Sequence, residues 1–318
     1  MTTTEQVIIS TLTRAAMFLV FKFKDNSAAT RNTVINLLGD VSSLVRGVGF
    51  RSRDNRMSCI TSIGSDAWDF LFGDPRPKLL HTFKEIDGEY KAPSTPGDLL
   101  FHVRADSMDM CFDFAHAVMD RLKDVASVID ETHGFKFFDE RDLLGFVDGT
   151  ENPTGAEALG FTIIGNEDSY FAGGSYVIVQ KYLHNLDKWN AIPTEIQEQI
   201  IGRHKVSDVE LRDYEKSTFS HNVLNKLYDD KGNQIKIFRD NMPFGQIGTQ
   251  QFGTYFIGYS KDPGVIEKML DNMFIGNPKG NYDRILDVST PVTGTLFFSP
   301  TSTFLDNAPS VFKMPATA

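Results

Sequence analysis

The sequence has very few cysteines, no excess of positive charge and no long hydrophobic run. Cys59 and Cys111 are its two cysteines in 318 residues, too few for a zinc ribbon or an iron–sulfur site with the usual number of ligands. We therefore interpret both as buried, reduced side chains of a cytoplasmic protein.

The charge and the apolar segments narrow the class of protein further. The formal net charge is -10, which argues against a nucleic-acid surface, because phosphate binding needs clustered Lys and Arg. Residues 1–6 lack the basic region and apolar core of a signal peptide. The apolar run 15–21 is far too short to span a bilayer. We expect a cytoplasmic protein that binds neither nucleic acid nor membrane.

Strand-like and helix-like patterns alternate along the first half of the chain. The hydrophobic periodicity predicts, in order, a strand over 15–23, a helix over 26–38, a strand over 58–63, a helical turn over 64–71, a strand over 98–105, a helix over 108–125 and a strand over 125–138. Strand, helix, strand, strand, helix, strand is the order of a ferredoxin-like unit.

The second half repeats this rhythm without obvious sequence identity to the first. Its pattern predicts strands over 176–182, 234–238, 253–259 and 294–299, and helices over 193–202 and 263–273. The prediction is an α+β protein with a duplicated ferredoxin-like fold, in which two antiparallel sheets carry helices on their outer faces. We expect an N-terminal half over 1–140 and a C-terminal half over 141–318.

The segment 145–153 places one aspartate, Asp148, between Gly145 and Gly149 and ends in Asn152-Pro153. Glycines permit positive φ and close backbone approach, so such a loop can hold a carboxylate at a fixed angle over a cavity. By itself the loop is equally explained as an ordinary chain reversal, since Asp-Gly and Asn-Pro are common turn residues.

Further candidates for chemistry follow in the second half. Ser220 is a natural N-cap, which would place His221 in the first turn of a helix. Arg239 and Asn241 lie at i and i+2 and would point to the same side if the strand there continues. A haem pocket needs parts of this kind: an imidazole for the iron and, on the other face, an acid–base group beside a positive charge.

Each candidate also has a plain structural explanation. A single histidine is usually a surface or hydrogen-bonded residue, and His204 is available as well as His221. Arg239 is explained equally well as an ion-pair partner, and Asn241 before Met-Pro as an Asx turn. Spacing alone does not decide which histidine binds.

Taken together, the segments resemble the dye-decolorising peroxidases in order and spacing over nearly the whole chain. The segments that carry the resemblance are 145–153 with its GxxDG motif, 201–203, 220–221, 239–245, 282–287 and 293–298. The compact length and the missing export signal are similar to the short cytoplasmic subclass often called B.

The resemblance implies a haem b held in the C-terminal half. His221 matches the proximal iron ligand, Asp148 and Arg239 the distal catalytic pair, and Asn241 a neighbouring distal residue. The resemblance further places Arg203, Gly149, Thr150, Arg239 and Asp283 among the cofactor-binding residues. Asp283 best matches the carboxylate that accepts the other N–H of His221, with Asp287 as the alternative. His204 receives no role.

The implied activity is a peroxidase that uses hydrogen peroxide to oxidise dyes, phenolic compounds or other aromatic or one-electron donors. The alternatives are a haem-handling protein that takes up porphyrin or removes its iron, and a non-catalytic ferredoxin-like binding module. The resemblance favours a homo-oligomer. The ending 312–318 is too short to decide whether the protein is packaged in a protein shell.

Overall fold

The computed structural model describes residues 3–52, 54 and 56–312. Most of the C-terminal ending considered for shell packaging, residues 313–318, therefore lies outside the described residues. Across the described ranges, no helix is both long enough and apolar enough to cross a membrane.

The first half contains the predicted ferredoxin-like unit. Its elements are β1 (Ala15–Phe23), α1 (Ala28–Gly49), β2 (Ser58–Gly64), α2 (Ser65–Leu71), β3 (Ile86–Asp87), β4 (Lys91–Ala92), β5 (Leu99–Ala105), α3 (Met108–Leu122) and β6 (Ala126–Phe135). Its long strands are antiparallel in the order β2-β5-β1-β6. The apolar stripe that predicted α3 is buried, as expected for a helix packed on a sheet.

The second half forms a matching unit. Its helices are α4 (Gly155–Thr162), α5 (Leu186–Asn190), α6 (Thr194–Ile201), α7 (His221–Leu224), α8 (Pro263–Phe274) and α9 (Ser302–Val311). Its strands are β7 (Ser175–His184), β8 (Leu227–Tyr228), β9 (Gln234–Ile235), β10 (Phe238–Arg239), β11 (Met242–Gln246), β12 (Gln251–Ser260), β13 (Ser289–Pro291) and β14 (Thr295–Ser299). The order β10-β12-β7-β14 corresponds to that of the first half, so the duplicated ferredoxin-like α+β fold is confirmed.

The two units share one sheet, whereas the sequence predicted two. Phe297 and Phe298 of β14 pair with Gly64 and Ile63 of β2, which joins the units into a ten-stranded sheet. The pairing satisfies backbone groups that two separate edge strands would leave open. The expected division at residues 140 and 141 stays a prediction.

The sheet separates two cores. Alternate residues of β1 show the division: Met17, Leu19 and Phe21 pack with the helices on the outer face, whereas Phe18 and Val20 point inward. The inner core contains residues from strands of both halves. The sheet curves around this inner core until β6 lies against β11. Helices cover the outer face of the sheet, as predicted.

Two elements differ from their predicted extent. α1 runs to Gly49, well past the predicted end at residue 38. The longer helix packs against α9, where Gly39 leaves room for Pro309: a Cβ at Gly39 would lie 2.4 Å from Pro309 Cγ. β10 ends at Arg239 and β11 begins at Met242, but both pair with β12 in one register. The chain therefore does not turn at Met242, and Arg239 and Asn241 lie on the same side as predicted.

Candidate functional site

A large cavity lies between the outer face of the second half's sheet and helices α7 and α8. It encloses about 1440 Å³, a volume that includes the open solvent at its mouth. Its apolar wall includes Ile237, Phe256, Ile266, Met269, Leu270 and Met273. Asp148, Gly149, Thr150, Arg203, His221, Arg239 and Asn241 line the same cavity, whereas Asp283 lies behind His221.

The glycines of the loop 145–153 adopt the backbone conformations that the sequence predicted. Gly145 and Gly149 have φ values of +92° and +88°, which side chains with a Cβ rarely adopt. Between them, the backbone N–H of Asp148 donates to Glu140 O at 2.8 Å. The loop thereby holds the Asp148 carboxylate at the cavity wall.

Arg239 and Asn241 reach the cavity from the end of β10 and the start of β11. The Asn241 amide donates to Asp148 Oδ2 at 3.0 Å, which leaves Asp148 Oδ1 without a hydrogen bond from the described residues. No ion pair joins Asp148 to Arg239 in the described part of the chain, so the amide of Asn241 makes the direct contact. The Arg239 guanidinium itself has no hydrogen-bond or ion-pair partner among the described side chains.

Asn152 ties the aspartate loop to β10. Its amide donates to Arg239 O at 2.7 Å, and its Oδ1 accepts from Arg239 N at 3.0 Å. From the sequence alone, Asn152 is explained only as a turn residue before Pro153. No local signal reveals this role, because the partner is far away in sequence.

His221 opens α7 directly after its N-cap Ser220, as predicted. The ring Nδ1 lies 2.6 Å from Asp283 Oδ2, and Asp283 Oδ1 accepts from Ile285 N at 3.0 Å. A carboxylate only accepts hydrogen bonds, so in the neutral imidazole Nδ1 carries the proton and Nε2 keeps its lone pair. Within the described residues, Nε2 makes no hydrogen bond.

The charge state of His221 depends on two opposing effects. Burial lowers the pKa of the imidazole, but the charge of Asp283 and the hydrogen bond to it outweigh burial, so the pKa lies above its usual value. Asp287, the alternative partner, instead accepts from Tyr90 and Tyr282, each at 3.0 Å. The structure therefore brings Asp283, and not Asp287, to His221.

Arg203 and Thr150 lie at the acidic rim of the cavity. The Arg203 guanidinium donates to Asp208 Oδ1 at 2.9 Å and to Glu151 Oε1 at 3.2 Å. Thr150 Oγ1 donates to Asp208 Oδ2 at 2.7 Å. His204 pairs with Glu198 at 2.9 Å and does not line the cavity.

His184 and Asp142 are among the titratable residues of the cavity that were not predicted. His184 contacts Ser289 Oγ at 2.8 Å and Thr254 Oγ1 at 3.0 Å, and burial lowers its pKa to about 4. Asp142 accepts from Phe146 N at 3.0 Å. Burial first, and the negative charge of nearby Asp148 second, raise the pKa of Asp142 to about 7. Neither residue lies in a motif that marks it.

The cavity provides one unpaired imidazole nitrogen but no complete protein site for a metal. Over the ranges that the structure describes, no group of three or more His, Cys, Asp and Glu side chains is placed to hold a metal ion. A metal bound at His221 would need its remaining ligands from a non-protein group. An apolar cavity with cationic side chains fits a flat, apolar macrocycle that brings its own metal and carries acidic substituents.

Comparison with known proteins agrees with this chemistry. The family description "Dyp-type peroxidase, N-terminal" matches residues 5–136, and "Dyp-type peroxidase, C-terminal" matches residues 139–304. A dye-decolorizing peroxidase of Rhodococcus erythropolis is 55% identical over 305 residues, which cover 96% of this chain and 89% of that protein.

Solved structures are similar over the same extent. The encapsulated DyP-type peroxidase of Mycobacterium smegmatis has a TM-score of 0.94 and 56% identity, covering 96% of this chain and 98% of that one. A variant of DypB from Rhodococcus jostii in complex with haem has a TM-score of 0.93 and 48% identity, covering 95% and 97%.

We predict that Asp142→Asn changes how stability depends on pH. The pKa of Asp142 rises from 3.8 to about 7 on folding, so its stabilising contribution is full below pH 3.8 and is lost as the pH rises to about 7. The free energy of unfolding of the variant, relative to the parent, should therefore increase over this range and level off above it. Urea unfolding across the range measures this difference.

Asp139→Asn is the matched control from the same loop. Its exposed carboxylate hydrogen-bonds Arg141, which lowers the pKa of Asp139, so its contribution to stability has the opposite sign. Parallel pH curves for Asp142→Asn and the parent would show that Asp142 does not titrate as its burial implies.

Proposed function

This chain belongs to the Dyp-type peroxidase family and is a haem peroxidase, and on that premise we propose that Asp148 and Arg239 form its distal pair while His221 binds the haem iron. The observation that carries the proposal is that these three side chains, distant in sequence, line one apolar cavity. Asn241 belongs to the distal side through its hydrogen bond to Asp148.

The side chains of the cavity suit haem. The unshared Nε2 of His221 is the atom that an iron ligand must offer, and the Nδ1–H bond to Asp283 fixes that tautomer. The apolar residues of α8 and β12 suit the macrocycle. Arg203 and Arg239 supply positive charge for the haem propionates, and Gly149 and Thr150 bring backbone to the cavity surface.

Haem, when bound, supplies an iron that accepts the oxidising equivalents of peroxide. The protein's contribution on the distal side is proton transfer. Asp148 Oδ1 is free to take the proton from the first peroxide oxygen and to return it to the leaving oxygen, so that water departs. Asn241, bound to Oδ2, fixes the orientation of the carboxylate during both transfers.

Arg239 contributes positive charge where negative charge develops. Its guanidinium is unpaired in the described part of the chain, so its donors are available to the leaving oxygen. The two hydrogen bonds from Asn152 hold the backbone of Arg239 in place beside the aspartate loop. On the other side of the cavity, Asp283 makes the His221 imidazole a stronger electron donor. We propose dyes, phenolic compounds and other one-electron donors as the reducing substrates.

Asp148→Asn should slow the absorbance change that stoichiometric peroxide produces in the holoenzyme, by about 10²- to 10⁴-fold, because the general base is lost. Arg239→Leu should slow it by about 10²- to 10³-fold, because a preorganised donor is lost. Stopped-flow spectroscopy measures both rates, and the resting spectrum verifies that haem stays bound.

The controls for these two variants are Asp139→Asn and Arg212→Leu, which change exposed side chains outside the cavity. They should react at the parent rate. If Asp148→Asn and Arg239→Leu also react at that rate, the distal assignment is wrong.

His221→Ala should impair haem retention, because it removes the imidazole that faces the cavity. Haem titration followed by gel filtration measures retention. His204→Ala is the matched control, since His204 is 45% exposed and pairs with Glu198. Loss of haem from the His204 variant, with coordination unchanged in the His221 variant, would reassign the ligand.

We also propose that the enzyme is a cytoplasmic homo-oligomer. The M. smegmatis relative is described as encapsulated, which supports assembly. Light scattering of the purified protein should give a multiple of 35.6 kDa; a monomer mass at working concentrations would contradict the proposal.

A further inference from the structure

A fully buried ion pair lies inside the curved sheet, behind the segment that carries the distal residues. The Arg104 guanidinium on β5 donates to Asp240 Oδ2 at 2.5 Å, and neither side chain has exposed surface. The guanidinium also donates to Ser58 Oγ at 3.3 Å and to two backbone carbonyls of the N-terminal segment. Arg104 belongs to the first half of the chain, whereas Asp240 belongs to the second.

Stability alone does not explain such a pair. Removing two charges from water is costly, and replacing a buried ion pair by apolar side chains of similar volume is often neutral or stabilising. Asp240 Oδ1 is buried without a hydrogen-bond partner in the described residues, which adds to the cost. A role in fixing one local conformation would account for its presence.

Asp240 lies between Arg239 and Asn241, and the three side chains alternate between the two faces of the sheet. Arg239 and Asn241 line the cavity, whereas Asp240 points into the inner core and meets Arg104. Because neighbouring residues of an extended chain face opposite sides, the direction of Asp240 sets the direction of the other two.

The strand ladder is incomplete along this segment. Arg239 pairs with Gly258 and Met242 with Tyr255, but the ladder opens between them. Asp240 N donates to Ile257 O at 3.2 Å. Ile257 N, in contrast, donates to the side-chain Oδ1 of Asn241 at 3.0 Å. Side-chain contacts therefore replace part of the ladder where the distal residues must be oriented.

We propose that Arg104 is a positioning residue for the distal site: by holding Asp240 in the inner core, it keeps Arg239 and Asn241 aimed into the cavity. Asn241 in turn donates to Asp148, so the first half of the chain acts on the aspartate without touching it. The inference rests on the proposed distal roles of these residues.

The test compares Arg104→Met with the double variant Arg104→Met, Asp240→Leu. The single variant leaves Asp240 as an uncompensated buried charge and should lose stability. The double variant removes both charges and should regain it. If the pair positions the distal residues, the double variant should still show faster hydrogen exchange over residues 239–243. Its reaction with peroxide should be up to about 10²-fold slower, the cost of a misplacement of about 1 Å.

The exposed pair Arg121 and Asp40, 2.6 Å apart, provides the matched control. Arg121→Met, Asp40→Leu should leave both readouts at parent values. If the double variant does not fold, Arg104→Lys replaces it, because lysine keeps the charge but lacks the planar guanidinium fork. Faster hydrogen exchange over residues 239–243 in Arg104→Lys would then support the positioning role.

Exchange over 239–243 is measured on haem-free and haem-loaded protein, which separates this inference from the proposed function. Exchange at the parent rate in the folded double variant, or in Arg104→Lys if that variant is needed, overturns the positioning role. This holds whether or not the reaction of the variant with peroxide is slower. A parent holoenzyme that does not respond to peroxide contradicts the proposed function, while faster exchange in the variant still supports the positioning role.

Discussion

The alternation of side chains along residues 239–241 is the constraint on which the site depends. Arg239 and Asn241 face the cavity because Asp240, between them, faces the interior of the sheet and pairs with Arg104. A shift of one residue in register would exchange the two faces and turn Asp240 toward the cavity. This short segment therefore connects the inner core, which both halves share, with the chemistry of the second half.

Asp148 and His221 share one arrangement, in which one atom of the side chain is anchored and another is left open. Asp148 accepts from Asn241 at Oδ2, and His221 is bound to Asp283 at Nδ1. Within the described residues, Asp148 Oδ1 and His221 Nε2 make no hydrogen bond. Anchoring fixes the orientation of a side chain, and the open atom is then available for proton transfer or for a metal.

Periodicity predicted the order of the main helices and strands, because each buries one face and carries that pattern in its own residues. Periodicity did not predict features that depend on contacts between segments far apart in the chain. α1 extends past residue 38 and packs against α9, where Gly39 accommodates Pro309, and β14 joins β2 into one sheet. Neither contact leaves a local pattern, since the residues involved are far apart in the chain.

Three features of the site can be read from local residue types: the glycines around Asp148, the N-cap before His221 and the spacing of Arg239 and Asn241. These depend on backbone conformation and strand geometry, which local residue types control. Three pairings become visible only in the folded chain: Asp283 rather than Asp287 meets His221, Asn152 binds Arg239, and Arg104 reaches Asp240. Such pairings are set by how distant segments pack, and no short stretch of sequence contains that information.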